Sequence, residues 1–191
     1  MFRSRYLSLL AGISLSAAAG AASAGPVADQ FRGGAFGLPW NANRNAIQAK
    51  YPGGTWDNHD TGADRYCAPS RQPLLKLPAQ HQTRELCFIM GADNTLGAAT
   101  ARLDASLPSL LAVVNRSRTM FGDFDMRRRE EGTIISKWSA QLWTREAPYV
   151  VQVWSENDAD GRPVDVTFTV ADEAAIHTEG AARVANRPPG Q

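Results

Sequence analysis

The chain has little cysteine, little histidine, no strong charge excess and only one long apolar run. Its 191 residues include two Cys and three His. Neither Cys67 nor Cys87 sits in a Cys-x-x-Cys motif, and His59, His81 and His177 are scattered rather than spaced as ligands. That pattern argues against a redox or zinc centre. There is no Gly-x-Ser-x-Gly elbow, no His-Glu-x-x-His and no Cys with a nearby His. No familiar hydrolytic machinery is spelled out. Basic and acidic residues nearly balance, 20 against 19. Proteins that live on phosphate contacts or clamp anionic lipid need a basic surplus. Neither nucleic-acid binding nor a polybasic membrane contact is expected.

The single apolar run lies at the start. Arg3 and Arg5 precede an uncharged stretch over 6–22, and Ala22-Ser23-Ala24 offers the small residues that signal peptidase accepts. Residues 1–24 are expected to be a signal peptide cut after Ala24, with Pro26 keeping the new start extended. Ser8, Gly12, Ser14, Ser16 and Gly20 dilute the run, which disfavours a permanent anchor. The leader holds no Arg-Arg pair and no Cys near the cut, so neither twin-arginine export nor lipid attachment is indicated. Cleavage removes two Arg and no acid, leaving 18 basic residues against 19 acidic. The expected product is a soluble periplasmic or secreted protein of a bacterial envelope, with no membrane span after cleavage.

In that oxidising setting the isolated pair Cys67 and Cys87 reads as one disulfide. Their separation of 20 residues would remove loop entropy from the unfolded chain worth roughly 3 kcal/mol.

Residues 25–34 read as a flexible, Gly-rich lead-in, and 36–40 as a short extended segment. Asn41 or Asn43 can cap a helix carrying Ala46, Ile47 and Tyr51, stopped by Pro52-Gly53-Gly54. A polar loop around 56–60 follows. Strands are expected near 73–78, 84–90 and 96–103, with a turn at 91–94. Ser106 can cap a helix that gathers Leu107, Leu110, Leu111, Val114 and Phe121 on one face before Gly122 ends it. The cluster Arg127-Arg128-Arg129, followed by Glu130 and Glu131, reads as a solvated helix end or loop. Strands over 133–144, 149–154 and 164–170 alternate apolar with polar residues, as in an antiparallel meander with one buried face. Asp172 can cap a short final helix, and 173–191 would hold that helix and a loose tail. The class is α+β. Two loosely similar helix-plus-antiparallel-sheet halves, about 35–104 and 105–172, would form one compact domain over 35–172.

The Phe36-Gly37-Leu38-Pro39-Trp40 opening, the helix ending at Tyr51-Pro52 and the helix ending at Phe121-Gly122 resemble many small exported bacterial proteins of uncharacterised function. The tandem helix-then-sheet order is similar to that of β-lactamase inhibitor proteins, whose curved sheets clasp another protein. The resemblance implies a non-catalytic binding or accessory role, and no inhibitory residue of that family maps onto a position here.

Three groups of residues invite a functional reading. Glu156, Asp158 and Asp160 precede Gly161 as in a calcium loop, but the twelfth position is Thr167 rather than an acid. A hairpin turn is the better explanation, and no metal or other cofactor is expected. His59 with Asp57 and Asp60 could serve a hydrolase acting on a cell-wall polymer, although active sites usually draw on separated elements. Trp143 and Trp154 fall on the opposite parity from their strands' buried residues, among Gln141, Gln152 and Thr167. Aromatics in polar surroundings suit an interface with another protein or an envelope glycan. The expected protein is therefore a binding or accessory protein, with the hydrolase and a small-ligand carrier as alternatives.

Overall fold

In a computed structural model of the chain, two four-stranded meanders meet along their last strands. The structure describes residues 25–58, 63–122, 125–130, 138–146 and 148–172, with 125–130 and 138–146 as backbone only. The first half holds α1 (Pro26–Phe31), α2 (Arg44–Lys50), β1 (Thr55–Asn58), β2 (Asp64–Pro69), β3 (Glu85–Met90) and β4 (Leu96–Arg102). The second holds α3 (Leu107–Phe121), β5 (Asp125–Glu130), β6 (Trp138–Glu146), β7 (Tyr149–Asn157) and β8 (Pro163–Asp172). All pairs are antiparallel, and the sheet runs β1-β2-β3-β4-β8-β7-β6-β5. The α+β class and the two similar halves are as the sequence predicted. The two halves are joined by the pairing of β4 with β8. No helix among the described residues is long and apolar enough to cross a membrane.

Alternation decides which face the core takes. On β7, Tyr149, Val151 and Val153 are buried. On β8, Val166, Phe168 and Val170 are buried, while Val164 stays half exposed. Leu86 and Phe88 continue the same layer on β3. The helices cover this layer. Phe31 of α1 lies 5.7 Å from Phe121 and 6.3 Å from Phe168 between ring centres. Tyr51, which ends α2, stands 4.9 Å from Phe88, and Trp40 stacks on Tyr149 at 5.6 Å. Fully burying each large side chain contributes roughly 1.5–3 kcal/mol.

Local signals account for the helix ends. Asn43 rather than Asn41 caps α2, its side chain accepting from the Ala46 amide at 3.0 Å. Ser106 caps α3 by accepting from Ser109 N at 3.2 Å, and Gly122 closes it. The turn at 158–161 is the expected hairpin. Asp158 Oδ1 accepts from the amides of Asp160 and Arg162, and Gly161 supplies a φ of 76° that other residues resist.

Several expectations are corrected. The lead-in 25–34 is not a loose segment. It contains α1, which buries Val27, Ala28 and Phe31. Pro26 starts that helix, where its missing N–H costs nothing. Residues 35–38 form a tight turn closed by the two bonds between Ala35 and Leu38, not an extended segment. At Gly34 a Cβ would lie 1.8 Å from the Leu38 carbonyl oxygen. The stretch 73–78 is not a strand, because Leu75 and Lys76 both take positive φ and Arg116 Nε donates to the Leu75 carbonyl at 2.8 Å. The polar stretch at 56–58 belongs to edge strand β1, and the Arg-rich 125–130 forms the opposite edge, β5. Their partners lie elsewhere in the chain, so local composition did not show them. On α3 the buried stripe is Ser109, Val113, Ser117 and Phe121. Leu107 and Leu111 are about half exposed, while Phe121 of the expected face is buried and Leu110 and Val114 pack partly inward. The small serines let the helix lie close on the sheet. Residues 1–24 and 173–191, where a signal peptide, a final helix and a tail are expected, lie outside the described residues. Asp172 itself is the last residue of β8.

Candidate functional site

The helices cover one side of the sheet; on the other, Cys87, Ala98, Thr167 and Ala171 are buried and Thr100, Gln152, Trp154 and Thr169 are partly exposed. Its composition follows from register. One row crosses the sheet as Cys67, Cys87, Thr100, Thr169, Gln152 and Trp143, each backbone directly opposite the next. The next row is Glu85, Arg102, Thr167, Trp154 and Gln141. Beyond it, Asp165 stands opposite Glu156. On the far side of the first row lie Ile89, Ala98, Ala171 and Val150.

The sulfurs of Cys67 and Cys87 are bonded, and their Cα atoms are 4.1 Å apart across β2 and β3. The predicted disulfide is therefore a cross-strand link on the open face. Glu85 lies close to it, and the three residues' side chains fall within 4.8 Å of one another. Joined sulfurs present no thiolate, so this cluster lacks the soft ligands of a metal site.

Trp154 is partly buried on the parity opposite Val151 and Val153, as predicted. It helps to line a cleft of about 290 Å³ with Arg65, Thr100, Arg102, Glu156 and Asp165. A neighbouring cleft of about 490 Å³ shares Arg102 and Asp165 and adds Arg84, Glu85 and Val164. Thr167 is only 6% exposed, so it forms the floor of this region rather than a projecting contact. Gln152 is partly buried on the same face. Trp143 and Gln141 hold their register positions opposite Gln152 and Trp154.

The charged groups are organised around Arg102. Its Nη1 donates to Glu85 Oε2 at 3.1 Å, and its Nη2 lies 3.6 Å from Asp165 Oδ2. Burial pushes the Asp165 carboxyl above the usual carboxylate range. Arg102 pulls the other way, and Glu156 and Glu85 add a smaller upward push. Nearby, Arg65 forks onto Asp57 with contacts of 2.9 and 2.6 Å. Partly exposed pairs like these are worth about 0–1 kcal/mol each.

The alternative catalytic group fares differently. Asp57 pairs with Arg65 on the open face, while His59 and Asp60 lie outside the described residues. One imidazole does meet a hydroxyl, His81 Nδ1 to Ser109 Oγ at 3.3 Å. Ser109 is 2% exposed and also accepts from Ser106 Oγ. These contacts serve the helix cap, and the buried oxygen is closed to a substrate.

Sequence reading put Trp154 and Thr167 on the parity opposite the core and paired the cysteines, but it did not bring Arg102, Glu85 and Arg65 beside them. Alternation had placed Asp165 with Thr167 and Thr169 on the wet side of β8. No local pattern could tell that β3 and β4 would bring Glu85 and Arg102 alongside. No protein-family model, curated protein or solved structure matches this chain.

Proposed function

We propose that the protein is an exported, non-catalytic binding protein that docks another protein on the open face of its sheet. The observation that carries this reading is Trp154, set partly buried in a polar cleft on the face the helices leave uncovered. An indole in that position provides large contact area at small entropy cost. Ile89 and Val150 on one side and the Arg102 ion pairs on the other supply the apolar centre and polar rim of a protein interface. The tandem order of two helix-plus-meander halves, similar to β-lactamase inhibitor proteins, fits the same role. The signal-like leader and the disulfide support a periplasmic or secreted location.

The test is recovery of a partner from an envelope extract by the mature protein and by a Trp154→Ala variant. Capture lost in the variant, with thermal unfolding nearly unchanged, is the expected result. Equal capture by both proteins would overturn the reading. So would turnover of a cell-wall polymer that disappears in His59→Ala.

A further inference from the structure

We infer that Cys67, Cys87 and Glu85 form a redox-gated zinc site. With the disulfide reduced, two thiolates and a carboxylate hold one Zn²⁺; with the disulfide closed they hold none. The site does not depend on the docking reading.

Neither cysteine stands in a zinc motif along the chain, yet strand pairing supplies the closeness that spacing lacks. Cys67 and Cys87 are directly opposite on β2 and β3, between the pairs Tyr66 with Phe88 and Ala68 with Leu86. Two further backbone bonds close the connection between these strands. Ser70 N donates to the Arg84 carbonyl and Thr83 N to the Gln72 carbonyl, each at 3.0 Å. Opening the S–S bond therefore leaves the two side chains facing each other, because the backbone ladder holds them in register. Glu85 joins them, since residues two apart on a strand share a face. Its Oε2 lies 3.5 Å from Cys87 Sγ, and one ligand atom from each of the three residues falls within 4.8 Å of the others. Tetrahedral Zn²⁺, with bonds of about 2.0–2.3 Å, needs neighbouring ligand atoms roughly 3.3–3.8 Å apart. Side-chain rotation that parts the sulfurs is enough to reach that spacing.

The donor set selects the ion. Two thiolates with one carboxylate suit Zn²⁺ and disfavour Mg²⁺ or Ca²⁺, which take oxygen ligands. Arg102 Nη1 donates to Glu85 Oε2 at 3.1 Å, the kind of outer contact that orients a ligating carboxylate. Cys67 is partly exposed and Cys87 lines the cleft of about 290 Å³. An ion thus has a route in, and water has a place as fourth ligand.

The gate is a two-electron exchange with a dithiol reductant. One thiolate of the reductant attacks the sulfur of Cys67, the more exposed residue, and Cys87 leaves as a thiolate. The reductant's second thiol then attacks its own sulfur in the mixed disulfide, expels Cys67 and ends as a disulfide. Zn²⁺ takes the place of the two protons that the cysteine thiols would otherwise hold.

The experiment reduces the protein with a phosphine under argon, removes the phosphine, and titrates the reduced and disulfide forms with Co²⁺ as a coloured stand-in for Zn²⁺. The reduced form is expected to bind one Co²⁺ per chain with thiolate-to-cobalt charge-transfer absorption, which added Zn²⁺ abolishes. The disulfide form is expected to show no such absorption. Cys67→Ser and Cys87→Ser should each lose most of it. Glu85→Gln should keep it but bind about tenfold more weakly or worse, while the thermal midpoint of its disulfide form stays nearly unchanged. Circular dichroism checks that reduction preserves the fold. Equal absorption in both redox forms, one ion shared by two chains, or undiminished affinity in Glu85→Gln would overturn the inference. So would a reduced chain that loses its fold and does not regain it with Zn²⁺. None of these outcomes touches the docking reading, which stands or falls with Trp154→Ala.

Discussion

Val153 and Trp154 are consecutive on β7 yet belong to different environments. Val153 is buried under the helices, and Trp154 lines a polar cleft on the opposite side. The same contrast holds on β8 between Phe168 and Thr167, and on β3 between Phe88 and the half of the disulfide at Cys87. One face is a continuous apolar layer with α1, α2 and α3 laid over it. The other mixes threonines, small alanines, the Trp154 indole, a disulfide and a chain of ion pairs. Apolar burial is concentrated on the first face and ion pairs on the second. An antiparallel sheet permits that division because its two sides are chemically independent at every second residue.

The largest perturbation should come from the covered face. Phe168→Ala is expected to cost about 3–5 kcal/mol, seen as a shift of the denaturant midpoint, because Phe168 is fully buried and faces Phe31. A loss under about 1 kcal/mol would show that the covered layer is not the core. Next comes the disulfide, a structural link that happens to sit on the open face. Replacing Cys67 and Cys87 by Ser should cost about 3 kcal/mol in the chain-entropy account, measured in the same unfolding assay. Gly161→Ala should cost about 1 kcal/mol through its positive φ in the β7–β8 hairpin. Trp154→Ala should change stability by at most about 1 kcal/mol while removing partner capture, and a collapse of folding would erase the distinction between the faces.

The smallest effect tests the electrostatics of the open face. Asp165 has its carboxyl pushed upward by burial. The folded protein therefore holds this proton to higher pH than the unfolded chain does. Stability contributed by that proton is present at acid pH and is lost as pH rises through the raised value. Asp165→Asn removes the titration. The difference in thermal midpoint, variant minus parent, should be more positive at neutral pH than in acid. A difference independent of pH would mean that burial of this carboxyl carries no cost.

Much of the fold was legible because local rules acted on it alone. The caps at Asn43 and Ser106, the stop at Gly122, the Asp158–Gly161 turn and the alternation of β7 and β8 are each decided within a few residues. Most of the misreadings share one cause, the local turn closed between Ala35 and Leu38 apart. Edge strands β1 and β5 became strands through partners distant in sequence, and α1 became a helix on the core because Phe31 found Phe121 and Phe168. On α3, leucine content pointed to Leu107 and Leu111, whereas close packing selected the stripe with Ser109 and Ser117. The site divides in the same way. Trp154 could be assigned to the uncovered parity from its own strand. Its neighbours could not, because Glu85 and Arg102 arrive on β3 and β4.

By itself the sequence determined the periodicity of each strong element, the helix caps and which side of β7 and β8 would be apolar, since these depend on contacts between near neighbours. Only the tertiary structure decided which strands lie side by side, and hence that Arg102 sits between Glu85 and Asp165 next to Trp154. Strand order depends on pairings between residues that are far apart along the chain, and such pairings leave no mark on the spacing of either partner.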